Sequence, residues 1–173
     1  VAAARHAEEQ LAFDDAVRNL EQALALAEAS RAAAAERAEL GIALGRARLA
    51  SGRRAAGQAA CREALQLARE AGLHELVARA VLEHGSALVY VVVDRELVRL
   101  LNEALDALGP DDSVLKARVL ARLAAAEQPA LDPSGPMNRA REAIAMARRL
   151  GAPAALLDAI RTGCSALMDL APP

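Results

Sequence analysis

The sequence predicts an all-α protein: a right-handed α-solenoid of antiparallel helix pairs, with about nine helices in repeats of ~40 residues. Three observations carry this. Alanine supplies 46 of the 173 residues, and alanine and leucine lose little side-chain freedom in a helix. Aromatic residues are nearly absent, with Phe13, Tyr90 and no tryptophan, so a core of alanine, leucine and valine requires helix axes to approach closely. Finally, one segment recurs in register. Arg62-Glu63-Ala64-Leu65-Gln66-Leu67-Ala68-Arg69 returns 79 residues later as Arg141-Glu142-Ala143-Ile144-Ala145-Met146-Ala147-Arg148.

Two further copies surround Ala23 and Ala104, so the central alanines Ala23, Ala64, Ala104 and Ala143 step by 41, 40 and 39 residues. Gly45 and Gly85 repeat the step of 40. One domain over residues 1–173 results, with repeats near 1–30, 31–72, 73–109 and 110–151 and a half repeat at 152–170. The first helix of each pair is expected at 2–11, 32–51, 73–90, 113–128 and 153–169, and the second at 13–29, 53–71, 94–108 and 135–150. Gly72, Gly109 and Gly151 stand where a left-handed cap ends a helix, and Pro110 and Pro153 follow closely. Asp94 and Ser134 are expected N-caps, and Pro136 fits a first turn. Residues 128–136 form the clear loop. Ala16, Ala23, Gly45, Gly57, Ala64, Gly85 and Ala104 fall where the two helices of a pair cross, and a larger side chain there would force the axes apart. Leu20, Cys61 and Leu101 take the medium-to-large position between repeats. Val89-Tyr90-Val91-Val92-Val93 has high strand propensity. With no partner strand it is read as a helix end plus an extended connection; a lone edge strand or a dimer contact are the alternatives.

Charge and cysteine usage narrow the function classes. The net charge is −2 with both signs interspersed, which lacks the electrostatic footprint of a nucleic-acid binder. Cys61 and Cys164 stand alone without ligand spacing, as expected of small core residues in a reducing cytoplasm. The longest apolar run, residues 87–93, is far short of the ~20 residues that cross a bilayer. Val1 begins inside a helical pattern and Ala171-Pro172-Pro173 follows an amphipathic one, so the chain is expected to be a fragment of a longer protein.

The small-residue pattern resembles tetratricopeptide repeats, especially their ~40-residue variants: Gly45 and Gly85 match the small position of that motif's first helix, and Gly57, Ala64 and Ala104 those of its second. The motif's tryptophan and most of its tyrosines are missing. A more specific likeness spans residues 62–167, carried by the run Val93 to Leu105 and by Ser113 to Leu123. It is similar to the helical region that follows the ATPase module in large bacterial signal-transducing ATPases. These are the MalT-like transcriptional regulators that end in a LuxR-type helix-turn-helix, and their cyclase-linked relatives. The resemblance implies a cytoplasmic region in transcription regulation or signal transduction that senses an inducer or protein partner and holds the ATPase in one assembly state. The alternative is a stand-alone tetratricopeptide scaffold or homo-oligomerisation module.

Motifs for chemistry are missing from the sequence. There is no G-x-x-x-x-G-K-[ST] loop, H-E-x-x-H or G-x-S-x-G. His74 and His84 are not at metal-ligand spacing, and adjacent acids such as Asp111-Asp112 diverge by about 100° on a helix, so helix capping is their expected role. No catalysis, cofactor or metal is expected. What remains is the concave face, lined in such stacks by the first helix of each pair. Transferring that register selects Arg46, Leu49, Arg79, Leu82, Ser86, Tyr90, Arg118, Gln128 and Arg161. Arginines along a groove suit an acidic peptide or phosphorylated ligand. The competing expectation is that they are solvated or paired with Glu39, Glu83 and Asp158. The partners expected are thus a protein or peptide, a small inducer, or a second copy of the chain, without direct nucleic-acid or membrane contact.

Overall fold

The computed structural model describes residues 13–86 and 93–167. Among these there are eight helices and no strand: α1 Phe13–Ala29, α2 Ala34–Ala50, α3 Arg54–Glu70, α4 His74–His84, α5 Arg95–Leu108, α6 Val114–Ala126, α7 Ser134–Arg149 and α8 Pro153–Leu167. The helix expected at 2–11, Tyr90 and most of the valine-rich segment lie outside the described residues. No described helix is long and apolar enough to cross a membrane.

The chain divides into two compact units, Val1–His84 and Gly85–Pro173. In the first, each helix packs on the next, and α2 also packs on α4. In the second, α5 to α8 do the same, and α6 also packs on α8. Within each unit, then, successive first helices touch one another. This is the neighbour pattern of stacked helix pairs.

Small side chains set the spacing, as the repeat predicts. A Cβ placed on Gly57 would stand 2.7 Å from Leu49 Cγ and 2.9 Å from both the Gly45 carbonyl oxygen and the Leu49 nitrogen. Helices α2 and α3 therefore meet backbone to backbone. One repeat on, Gly85 faces Leu97, whose Cδ1 would lie 2.6 Å from an added Cβ: the leucine occupies the room that the second glycine leaves in the earlier crossing. In the second unit three alanine layers run along α6. Ala117 packs with Met146, Ala147 and Ala155, Ala121 with Ala143 and Ala159, and Ala124 with Ala140. The α6 numbers rise as the α7 numbers fall, so these helices are antiparallel. Leu20, Cys61 and Leu101 are fully buried, and Ala16, Val17 and Leu20 of α1 pack against Leu40, Leu44 and Ala47 of α2. Burying each such leucine contributes about 1.5–3 kcal/mol.

The helix ends show both agreement and correction. Asp94 caps α5, its carboxylate accepting the Leu97 N–H at 3.0 Å. Ser134 is not a cap: it is the first residue of α7, and its N–H and hydroxyl both donate to Asp132, at 2.9 Å each. The bonds from Ser134 hold the Asp132 carboxyl below its ordinary range. The cap of α6 is Ser113, which accepts the Lys116 N–H, while Asp112 binds Arg149 at 2.8 Å. The side-chain hydrogen bond decides that role over the helix dipole. Helix α4 stops at His84 rather than continuing to 90, and the carbonyl of Gly85 accepts Arg122 Nε at 2.5 Å. Gly52, Gly72 and Gly151 follow helices with φ of +79°, +66° and +60°. After each, a backbone N–H reaches five residues back: Arg53 to Arg48, Leu73 to Ala68 and Ala152 to Ala147. The same closure follows α1, where Ala32 N–H reaches Ala27, but the left-handed residue is Arg31, at φ +53°.

Candidate functional site

Four residues at one repeat position stand on first helices, two in each unit. Glu39, Arg79, Arg118 and Asp158 follow each other at steps of 40, 39 and 40. Within the first unit Arg79 of α4 donates to Glu39 of α2 at 3.2 Å. Within the second, Arg118 of α6 meets Asp158 of α8 at 3.1 Å, and Arg161 reaches the same carboxylate at 3.8 Å. Each unit thus ties its two described first helices together with one repeat-equivalent ion pair. All five side chains are at least one-third exposed, so each pair contributes only about 0–1 kcal/mol to folding and leaves hydrogen-bonding capacity toward solvent.

The remaining residues selected from sequence are dispersed within the two units. Arg46 is exposed on α2, seven residues from Glu39 and so on the same side of the helix. Leu49 is half-buried and turned toward α3, its Cγ covering Gly57. Leu82 is half-buried, Ser86 is exposed beyond the end of α4, and Tyr90 lies outside the described residues. Gln128 corrects the expectation. It is 7 % exposed, its side-chain oxygen accepts the Ala130 N–H at 3.0 Å, and it closes the turn after α6 instead of lining a groove. Arg161 occupies a position whose equivalents Ile42 and Ala121 are buried, yet it is exposed on α8.

Three buried or half-buried groups escaped the sequence reading. Arg122 is 6 % exposed, although nothing in Leu120-Ala121-Arg122-Leu123 marks it as different from the surface arginines. Lys116, the sole lysine, donates to the carbonyls of Gly109 and Pro110 at 2.9 and 2.8 Å and so clamps the turn before its own helix. Glu127 pairs with Arg139 at 2.9 Å; burial raises its carboxyl and the Arg139 charge partly offsets this. Cys61 is fully buried, and burial, reinforced by the negative charge of Glu83, pushes its thiol up to about 12. A thiol held protonated is a poor nucleophile.

A second feature lies in the first unit, on the side of the second helices α1 and α3. Leu24 and Glu28 of α1, Arg37 and Gly41 of α2, and Ala60, Glu63, Ala64 and Leu67 of α3 line a cleft of about 130 Å³. Arg37 lies roughly opposite Glu39 around α2, two residues being about 200° apart on a helix. Its Nε is buried with no hydrogen-bond partner among the described residues. Among the described residues, no group of three or more His, Cys, Asp or Glu side chains could hold a metal ion.

Comparison with models of known protein families and with curated proteins finds no match to this chain.

Proposed function

We propose that the chain is a tetratricopeptide-like, right-handed helical-repeat region that binds a protein or peptide partner, or senses a ligand, as part of a regulatory ATPase. One observation carries the reading: each unit presents its first helices side by side, joined by an arginine–carboxylate pair at the same repeat position. Such pairs hold arginines in place on a face without burying them. An incoming carboxylate or phosphate displaces Glu39 or Asp158 and meets a pre-positioned guanidinium, at little cost in side-chain ordering. The bands of alanine and glycine serve packing, and on this reading recognition falls to the arginines of the first helices.

The test uses a fluorescent glutamate-rich dodecapeptide and fluorescence anisotropy at low salt. Glu39→Gln and Asp158→Asn release Arg79 and Arg118 and are expected to tighten binding severalfold. Arg79→Glu with Arg118→Glu is expected to abolish it with unchanged helicity. Equal affinity across all three proteins refutes an arginine-lined recognition face.

A further inference from the structure

We propose that the cleft between α1, α2 and α3 is a binding site for a small zwitterion with the size and charge pattern of an aliphatic α-amino acid. The site lies away from the arginine–carboxylate face, and the inference does not depend on how that face is used.

The size follows from the packing. Gly41, Ala60 and Ala64 form a floor of small residues, closed because a Cβ on Gly41 would already stand 3.0 Å from that of Ala64. Leu24 and Leu67 contribute apolar walls. An apolar cavity of about 150 Å³ accommodates a benzene-sized molecule, so the 130 Å³ here suits a body of similar size.

The charge pattern follows from what the walls leave unpaired. Other arginines of this unit meet carboxylates: Arg48 binds Glu21 at 2.9 Å and Arg53 binds Asp14 at 2.7 Å. In the cleft, Arg37, Glu28 and Glu63 come from three different helices, and among the described residues none has an ion-pair partner. The buried Nε–H of Arg37 lacks an acceptor, which is a costly state for a buried donor. A ligand carboxylate supplies that acceptor, and a ligand ammonium meets Glu28 and Glu63. A simple anion would face two carboxylates, and a simple cation would face the guanidinium. Glu28 and Glu63 are exposed and solvated, so the buried Arg37 Nε–H sets the requirement for a carboxylate, and an ammonium on the same short apolar body gains the two glutamates.

The experiment records ¹H–¹⁵N spectra of the full chain during titration with L-alanine, L-valine and L-leucine, and with isobutyrate and isobutylamine as single-charge analogues. At least one amino acid is expected to shift Gly41 and its neighbours on α1 and α3, with either analogue at least about tenfold weaker. Arg37→Met and the exposed-site variant Glu63→Gln are each expected to weaken binding at least about tenfold, while Arg99→Gln on the exposed surface of α5 leaves it unchanged. The proposal is overturned if no amino acid shifts these signals at about 10 mM. It is equally overturned if the analogues bind as well, if Glu63→Gln binds like the parent, or if Arg99→Gln removes binding.

Discussion

Gly57→Ala separates two effects of opposite sign. In the interior of α3, helix propensity alone makes alanine more stable than glycine by about 1 kcal/mol. The geometry argues otherwise, because the new methyl carbon would stand 2.9 Å from the Gly45 oxygen and 2.9 Å from the Leu49 nitrogen. Both are backbone atoms of α2 and cannot rotate aside. Leu49 Cγ at 2.7 Å can move, but only by uncovering the crossing. Overpacking of this kind costs about 1–3 kcal/mol, and contact with two backbone atoms puts it toward the upper end. The net expectation is a loss of about 1–2 kcal/mol, measured by urea unfolding followed by circular dichroism. Gly57→Val should lose more. Gly135→Ala is the contrast: beyond its chain neighbours an added Cβ would meet the Arg139 guanidinium tip at 3.2 Å, which can move aside. Alanine before Pro136 is disfavoured in helical backbone, however, so a loss smaller than that of Gly57→Ala is expected. A Gly57→Ala protein at least as stable as the parent would show that α2 and α3 do not meet at this glycine, and the repeat register would fail with it.

Arg31→Gly should stabilise the protein by about 0.5–1 kcal/mol in the same urea assay, since relief of the left-handed strain exceeds the entropy that glycine adds to the unfolded chain; a loss of stability would mean that the Arg31 side chain matters more than its φ of +53°. Thiol titration of the native protein should modify the exposed Cys164 quickly and Cys61 only after denaturant is added; two fast thiols would contradict the core position of Cys61. Arg122→Met leaves the Gly85 carbonyl without its buried donor and should cost about 1–3 kcal/mol, whereas a surface role would leave the urea midpoint in place. The Asp112 carboxyl lies below its ordinary value of 3.8 because Arg149 donates to it. Its contribution is therefore complete above that value and is lost as pH falls through the lower folded one. Asp112→Asn should flatten the acid limb of stability measured from about pH 5 to 2; an unchanged limb would remove the pair from the account.

The repeat was legible because the helix crossings repeat the demand for small side chains. Gly45, Gly57, Ala64, Gly85 and Ala104 could be read as crossings since alanine or glycine at fixed steps has no other common cause, and Cys61 was read as core from its equivalence to Leu20 and Leu101. The pairing of Arg79 with Glu39 and of Arg118 with Asp158 was legible as the competing expectation for those arginines. Gln128 was misread because register carries a residue's place along a helix only as far as the helix runs, and α6 ends at Ala126. Ser134 was misread because Asp132, two residues earlier, is the stronger acceptor. The Arg37 cleft gave no signal, since its three charged residues are separated in sequence and resemble the solvated charges around them.

What the sequence by itself determined is the helical content, the period near forty residues and the small-residue crossings, since backbone preference and side-chain volume act locally and recur. Only the tertiary structure decided which arginines are buried, which carboxylates they meet and where three unpaired charges share a cleft. Those outcomes depend on distances between helices that no single segment encodes. A guanidinium on one helix becomes a clamp, a solvated charge or a ligand contact according to what the neighbouring helices bring within about 3 Å of it.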